Sequence, residues 1–393
     1  APPAPALAAP LEVVPDEEIP TLEEADILEE IPPPEVDLAA PLQVQVAAID
    51  WHVYLLTGSP LALGFVGMTR VLPIVFFSLW GGIVADRRDR RRVMIATQGV
   101  MAAAALALGS LTLSGRETLV AVYFLTALTA AANAFDAPAR QSLVPGLVPR
   151  ADLPGALSLN LTMFHSAMIG GPALAGGVIA GTVGLAGAAP GSAAAALAST
   201  RALAAIYLLN AASFFGVLGV LVLMKTPGRE PSAGAVDPHP WRALRDGLSF
   251  VFTTPIMVWT MVLDFVATFF SGANSLLPIF ADQILHVGAM GFGWLRAAPA
   301  LGALGGSLFL SVRPLPHRQG RVFLNSVAAY GAATVVFGLS RSYVMTFLAL
   351  AAPGLAAVAA DDPEVAAVGE DDVGLADGGK AKQEGRIALG GGS

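Results

Sequence analysis

Residues 81–92 of this chain read GGIVADRRDRRR, and an apolar run lies on each side of them. The first run, residues 61–85, is long enough to cross a bilayer and ends abruptly in an acid and a block of arginines. The second starts at once, at Val93. Two helices crossing a membrane in opposite directions, joined by a tight basic loop, are the simplest object with this pattern. Arginines so placed need do no more than fix orientation.

Composition allows this reading and excludes most others. At 393 residues, 55% hydrophobic and 13% charged, with mean hydropathy +0.66, the chain carries too little charge for a soluble domain of its size. The net charge of −8 hides a partition. Residues 1–40 hold eleven acids and no base, and residues 361–393 hold eight acids and three bases. Residues 41–360 hold 19 bases against 11 acids, so a basic apolar body carries two acidic tails. No cysteine is present, which excludes disulfides, thiolate metal sites and cysteine catalysis. The arginines lack interleaved aromatics, so no nucleic-acid partner is expected. No nucleophile elbow, phosphate loop, HExxH or Walker motif occurs, so the sequence predicts neither an enzyme, a cofactor, a metal site nor direct use of ATP.

Taken in order, residues 1–41 are an acidic, proline-rich cytoplasmic tail without the basic start or apolar core of a secretory signal. Thr21 and Glu24 have capping-box spacing within it, ahead of an apolar stripe at Leu22, Ala25, Leu28 and Ile31. Residues 42–224 hold six apolar runs, the later ones at about 94–114, 118–135, 157–184 and 202–224. Residues 225–255 form a polar linker. Residues 256–360 hold further runs at about 256–280, 291–312, 322–340 and 343–360, and residues 361–393 are an acidic glycine-rich tail. The expectation is an all-α polytopic membrane protein of about ten helices, with a six-helix N-terminal bundle and a partial C-terminal one.

Several stretches carry a family resemblance. Gly82, Asp86, Arg87, Arg90 and Arg91 are spaced as in the loop between the second and third helices of major facilitator superfamily transporters, with Asp89 where glycine is usual. Trp51, Val53, Tyr54, Leu56, Thr57, Gly58, Ser59 and Pro60 resemble the end of the first helix in the subgroup that includes enterobactin exporters and macrolide efflux proteins. Asp136, Pro138, Arg140 and Gln141 resemble that subgroup's fourth-to-fifth helix connection. Residues 170–177, GGPALAGG, resemble the glycine-proline motif of the fifth helix, and residues 275–308 resemble the seventh and eighth helices. The resemblance implies the major facilitator fold. It implies that Gly82 permits close helix approach, and that Asp86, Arg87, Arg90 and Arg91 hold one gate shut, mirrored by Asp136 and Arg140 on the cytoplasmic face. Gly170, Gly171, Pro172, Gly176 and Gly177 are then packing residues, with the proline bending the span.

Charge alternation orients the chain. Arg87 to Arg92, then Arg140 and Arg150, then Lys225 to Arg245, then Arg313 to Arg321 fall on alternate loops, while the opposing loops hold only Arg116, Arg201 and Arg341. That places both termini in the cytoplasm, and the resemblance implies a bacterial inner membrane. Charges at bilayer depth point to function by default. They are Asp50 and His52 in the first run, Arg70 in the second, Asp264 in the seventh and Arg296 in the eighth. The first and seventh helices occupy corresponding places in the halves of such a transporter, so Asp50 and Asp264 are the candidate proton carriers. Their other reading is a buried ion pair, Asp50 with Arg70 and Asp264 with Arg296.

The resemblance implies proton-coupled export of an amphipathic small molecule, siderophore-like or drug-like, by alternating access. The alternative is a degenerate transporter serving as a structural subunit of a larger membrane complex. A shortened first helix, no eleventh and twelfth helices and acidic tails suited to basic partner subunits favour that alternative.

Overall fold

A computed structural model describes residues 39–147, 152–189, 191–223, 249–255, 257–259, 261–262, 275–311 and 319–358. Asp264, both acidic tails, most of the linker and the side chains of Asp86 and Arg87 lie outside the described residues. The chain is all-α. Its helices are α1 (Ala39–Thr57), α2 (Pro60–Arg87), α3 (Arg90–Leu113), α4 (Leu119–Leu147), α5 (Leu153–Leu185) and α6 (Ala193–Leu223). Residues 249–253, 257–259 and 261–262 are helical; after them come α7 (Leu277–Ile279), which runs into a π-helical turn at Phe280–Ile284, then α8 (Gly288–Ser311), α9 (Gln319–Leu339) and α10 (Tyr343–Val358).

The reversals follow from local chemistry. At the end of α1, Gly58 takes φ +58°, which a residue without Cβ adopts freely, and its N–H bonds the Tyr54 carbonyl at 2.8 Å. Ser59 then caps α2 through its Oγ, and Pro60 occupies the first turn, where a missing N–H costs nothing. At the other end of α2, Asp89 caps α3 by accepting the N–H groups of Arg91 and Arg92 at 3.0 and 3.4 Å. The aspartate that departs from the family pattern thus starts the next helix. Its acid at a helix N-terminus also favours the macrodipole.

Among the described residues, five helices are long and apolar enough to cross a membrane: segments Pro60–Ser78, Arg90–Leu113, Leu119–Leu143, Gly155–Leu185 and Ala193–Leu223. Two helices outrun their apolar runs. α4 continues to Leu147, so Asp136 and Arg140 lie on a helix and not in a connection. α6 begins at Ala193, and Arg201 is an exposed residue of that helix, not of a loop. Alanine has the strongest helix propensity, and Ser192 caps the Ala195 N–H at 3.2 Å, so the AAAALAST stretch joins the span.

Helix pairing repeats along the chain. α1 packs on α5, α2 on α4 and α3 on α6; after the linker, α8 packs on α10 as α2 does on α4. α5 also packs on α8, joining the first six helices to the later ones. Lipid is as apolar as leucine, so such contacts depend on close packing and interhelical hydrogen bonds. At Gly81 an added Cβ would strike the Ala134 carbonyl of α4, and at Gly302 it would strike the Ala351 carbonyl of α10. One core cluster centres on Trp51, Tyr207 and Phe292, and a second, between α3, α4 and α6, on Met101 and Phe214.

Candidate substrate and gating sites

Helical periodicity gives α1 two polar faces. Gln45 and His52 are seven residues apart and face α6. The Gln45 Oε1 accepts from the Asn210 Nδ2, and the His52 Nδ1 lies 3.1 Å from the Tyr207 hydroxyl. The His52 Nε2 is buried with no partner. Asp50 and Tyr54, four apart, face α2 and the later helices. The Tyr54 hydroxyl donates to the Asp282 Oδ2 at 2.6 Å, on the π-helical turn, and the Trp51 ring lies 5.4 Å from that of Phe292.

Asp50 is the centre of this second face. It is 3% exposed and is gripped from both sides. The Arg70 Nη2 donates to Oδ1 at 2.8 Å and to the Val46 carbonyl at 2.9 Å. The Arg296 Nη1 donates to Oδ2. Two cations therefore surround one anion, and α8 is tied to α1 and α2. Arg296 takes Asp50 as its partner, where the sequence suggested Asp264. The acid is sealed, but the arginine side chains keep 21% and 18% of their surface exposed.

Among the described residues, the same side of the bundle carries further close contacts between the first six helices and the rest. A Cβ at Gly176 on α5 would strike the Ala289 carbonyl, and one at Gly293 on α8 would press on the Pro172 carbonyl. Gly171 is equally tight against Gln43 of α1. Gly170 and Gly177 have nothing within 4 Å of an added Cβ, so the motif's packing rests on Gly171, Pro172 and Gly176. These residues sit in the half of the bundle away from the arginine loop. Asp50, Arg70 and Arg296 lie seven to ten residues from the ends of their helices there, or about 10–15 Å.

At the arginine end the charges work within the first six helices. The Arg90 Nη1 donates to the Ser142 carbonyl of α4 at 2.8 Å. The Arg91 guanidinium donates to the carbonyls of Leu221 and Val222 at 2.6 and 2.9 Å, closing the C-terminus of α6, where a cation is favoured. Asp136 is buried between α4 and α3. Its Oδ1 accepts from the Thr97 hydroxyl at 2.8 Å and the Gln98 Nε2 at 3.1 Å, and the Arg140 Nε lies 3.9 Å from Oδ2. The close helix approach expected of Gly82 belongs to its neighbour. Gly82 has open space, whereas Gly81 meets α4. Asp86 and Arg87 close α2, with side chains outside the described residues.

Sequence reasoning gave Tyr54 only a place in the first-helix resemblance, and it missed Asp282, Tyr207 and Gln98. Each had only the weak signal of a polar group in or beside an apolar run, and its partner lies 38 to 228 residues away in the chain.

The comparisons agree with this architecture. The family model described as transmembrane secretion effector matches residues 40–365. The enterobactin exporters EntS of Shigella dysenteriae serotype 1 (strain Sd197) and Escherichia coli O81 (strain ED1a) are each 28% identical over 323 residues, covering 80% of this chain and 68% of the relative. The crystal structure of a D-xylose-proton symporter matches with TM-score 0.59 at 10% identity, over 84% of this chain and 79% of that one. A bacterial homologue of the human lysosomal transporter Spinster, inward-facing and occupied, matches with TM-score 0.55 at 16% identity, over 82% and 71%. Repeated helix pairing, the arginine loop and a family match over most of the length converge, and the chain belongs to the transmembrane secretion effector family of major facilitator superfamily transporters.

Proposed function

We propose that this protein exports an amphipathic small molecule, siderophore-like or drug-like, across a bacterial inner membrane by alternating access driven by protons. The observation that carries the reading is the ion-pair cluster of Asp50, Arg70 and Arg296, which joins helices on the two sides of the linker at bilayer depth. A purely structural bundle gains little from such a cluster, because desolvating three charges offsets much of their attraction. A transporter gains a contact that one state makes and another breaks. With the arginine end in the cytoplasm, as charge alternation favours, the cluster, Tyr54–Asp282 and Gly176–Gly293 close the outer side. The relatives named enterobactin exporter support the direction and the class of solute.

Asp264 is the proton carrier in this reading, because Asp50 is engaged by two arginines. Proteoliposomes loaded with an amphipathic dye and given a pH gradient test it. Export faster with the gradient than without it is expected, and Asp264→Asn should abolish that acceleration while downhill exchange persists. Equal loss of both would give Asp264 a structural role. No flux of any solute, with purification only inside a stoichiometric complex, would replace transport by the subunit role.

A further inference from the structure

We infer that Arg70 and Arg296 form an anion subsite, so that the exported solute carries a single negative charge placed between them. This deepens the transport reading and rests on it. Charge comes first. Two guanidiniums share one carboxylate, and among the described residues neither has a second acidic partner: Asp282 is engaged by the Tyr54 hydroxyl and the Glu117 carboxylate makes no ion pair with either arginine, so the cluster itself carries one excess positive charge. Such an excess is costly without a counter-ion. Unused donors come second. Each guanidinium has five N–H groups, yet Arg70 donates to Val46 and Asp50 through Nη2 alone, and Arg296 reaches Asp50 through Nη1 alone. Their remaining nitrogens are absent from the buried polar atoms without partners, and both side chains keep about a fifth of their surface exposed while Asp50 is sealed. What accessible surface the cluster has belongs to the arginine side chains, not to the acid.

A planar two-oxygen anion such as a carboxylate suits two forked donors, which bind it in bidentate fashion. Arg70 stands on α2 and Arg296 on α8, so an anion between them touches both sides of the linker. At about 10–15 Å from the helix ends, the cluster lies below the headgroups of a bilayer, which favours a solute over a lipid.

The test is equilibrium binding of radiolabelled 4-octylbenzoate, with the neutral 4-octylbenzamide as matched probe, to the full chain in zwitterionic nanodiscs. The expected result is preference for the benzoate, lost about tenfold or more in Arg70→Gln and in Arg296→Gln with benzamide binding unchanged, the size of a charged hydrogen bond. Asp50→Asn should tighten benzoate binding. The double variant Asp50→Asn with Arg70→Gln keeps one excess charge and should retain the preference, which separates lost charge from lost fold. Equal binding of both probes by the unaltered chain overturns the proposal, as does parallel loss of both probes in the arginine variants that retain a folded, monodisperse bundle. Tightening by Asp264→Asn as large as that by Asp50→Asn also overturns it, since an internal acid would then balance the charge. Addition of anionic lipid should leave benzoate binding in place, and its full displacement would assign the subsite to lipid. Selective benzoate binding without any solute flux would instead sink transport and leave the subsite standing.

Discussion

Asp50 lies between two arginines supplied by helices 20 and 246 residues away, and its value to the fold depends on all three being present. Removing one member of a buried charge group costs about 3–5 kcal/mol, because the partners remain buried. Asp50→Ala should therefore lower stability by about that much, read as a fall in the thermal midpoint of the purified protein in detergent. Asp50→Ala combined with Arg70→Met should recover part of it. Stability unchanged in the single variant would mean that the cluster is solvated and not structural. Asp136 has a different task. Its two neutral donors sit on α3, so Asp136→Ala leaves Thr97 and Gln98 unsatisfied and should cost about 1–3 kcal/mol. A midpoint unmoved by Asp136→Ala would refute that account.

At the scale of elements, α1 is the member on which the others converge. One face meets α6 through Gln45 and His52, another meets α2 and α8 through Asp50, and its outer turn meets the π-helical turn through Tyr54. π-helical turns are often found at functional sites, and this one presents Asp282 where a straight α-helix would have turned it elsewhere. The α5·α8 contact has no polar bond at its tightest point and relies on two glycines. Gly176→Val would force backbone apart there, at a cost of about 1–3 kcal/mol, and the strain is felt only when α5 and α8 touch. The expected outcome is a population shifted towards the state in which they separate, seen as greater labelling of a cysteine placed at Trp51. Labelling unchanged from the parent would show that α5 and α8 do not part during the cycle.

At the scale of the whole molecule, the arrangement has one end locked within the first six helices and the other joined across the linker. Arg90 and Arg91 tie the start of α3 to the ends of α4 and α6. Among the described residues, the contacts across the linker gather at the opposite end. A rocking motion about such contacts is the general route to alternating access in transporters built from two bundles. Sidedness can be read from engineered cysteines, since the natural chain has none. Cysteines at Ser114 and at Gln319 should label from opposite sides of the membrane, with Gln319 on the cytoplasmic side. Labelling from the same side would refute the ten-span topology.

The sequence by itself determined the class of protein, because lipid imposes its rule residue by residue. Every backbone group must be satisfied inside its own helix, so apolar length and arginine-rich turns already announced membrane-crossing helices at residues 60–87 and 90–113. It also announced which groups were costly at depth, naming Asp50, Arg70 and Arg296 without their geometry. Helix ends were less legible. α4 runs on past its apolar residues because Asp136 finds Thr97 and Gln98 on α3, and only packing reveals that a polar residue has a partner. Partner choice was the part that only tertiary structure decided. Arg296 faces Asp50 and not Asp264, and Gly81 rather than Gly82 meets α4, because a residue's direction around its helix matters only against the helix that packs there. Composition and period are local quantities, whereas the meeting of α1, α2 and α8 around one carboxylate depends on how helices far apart in the chain are packed.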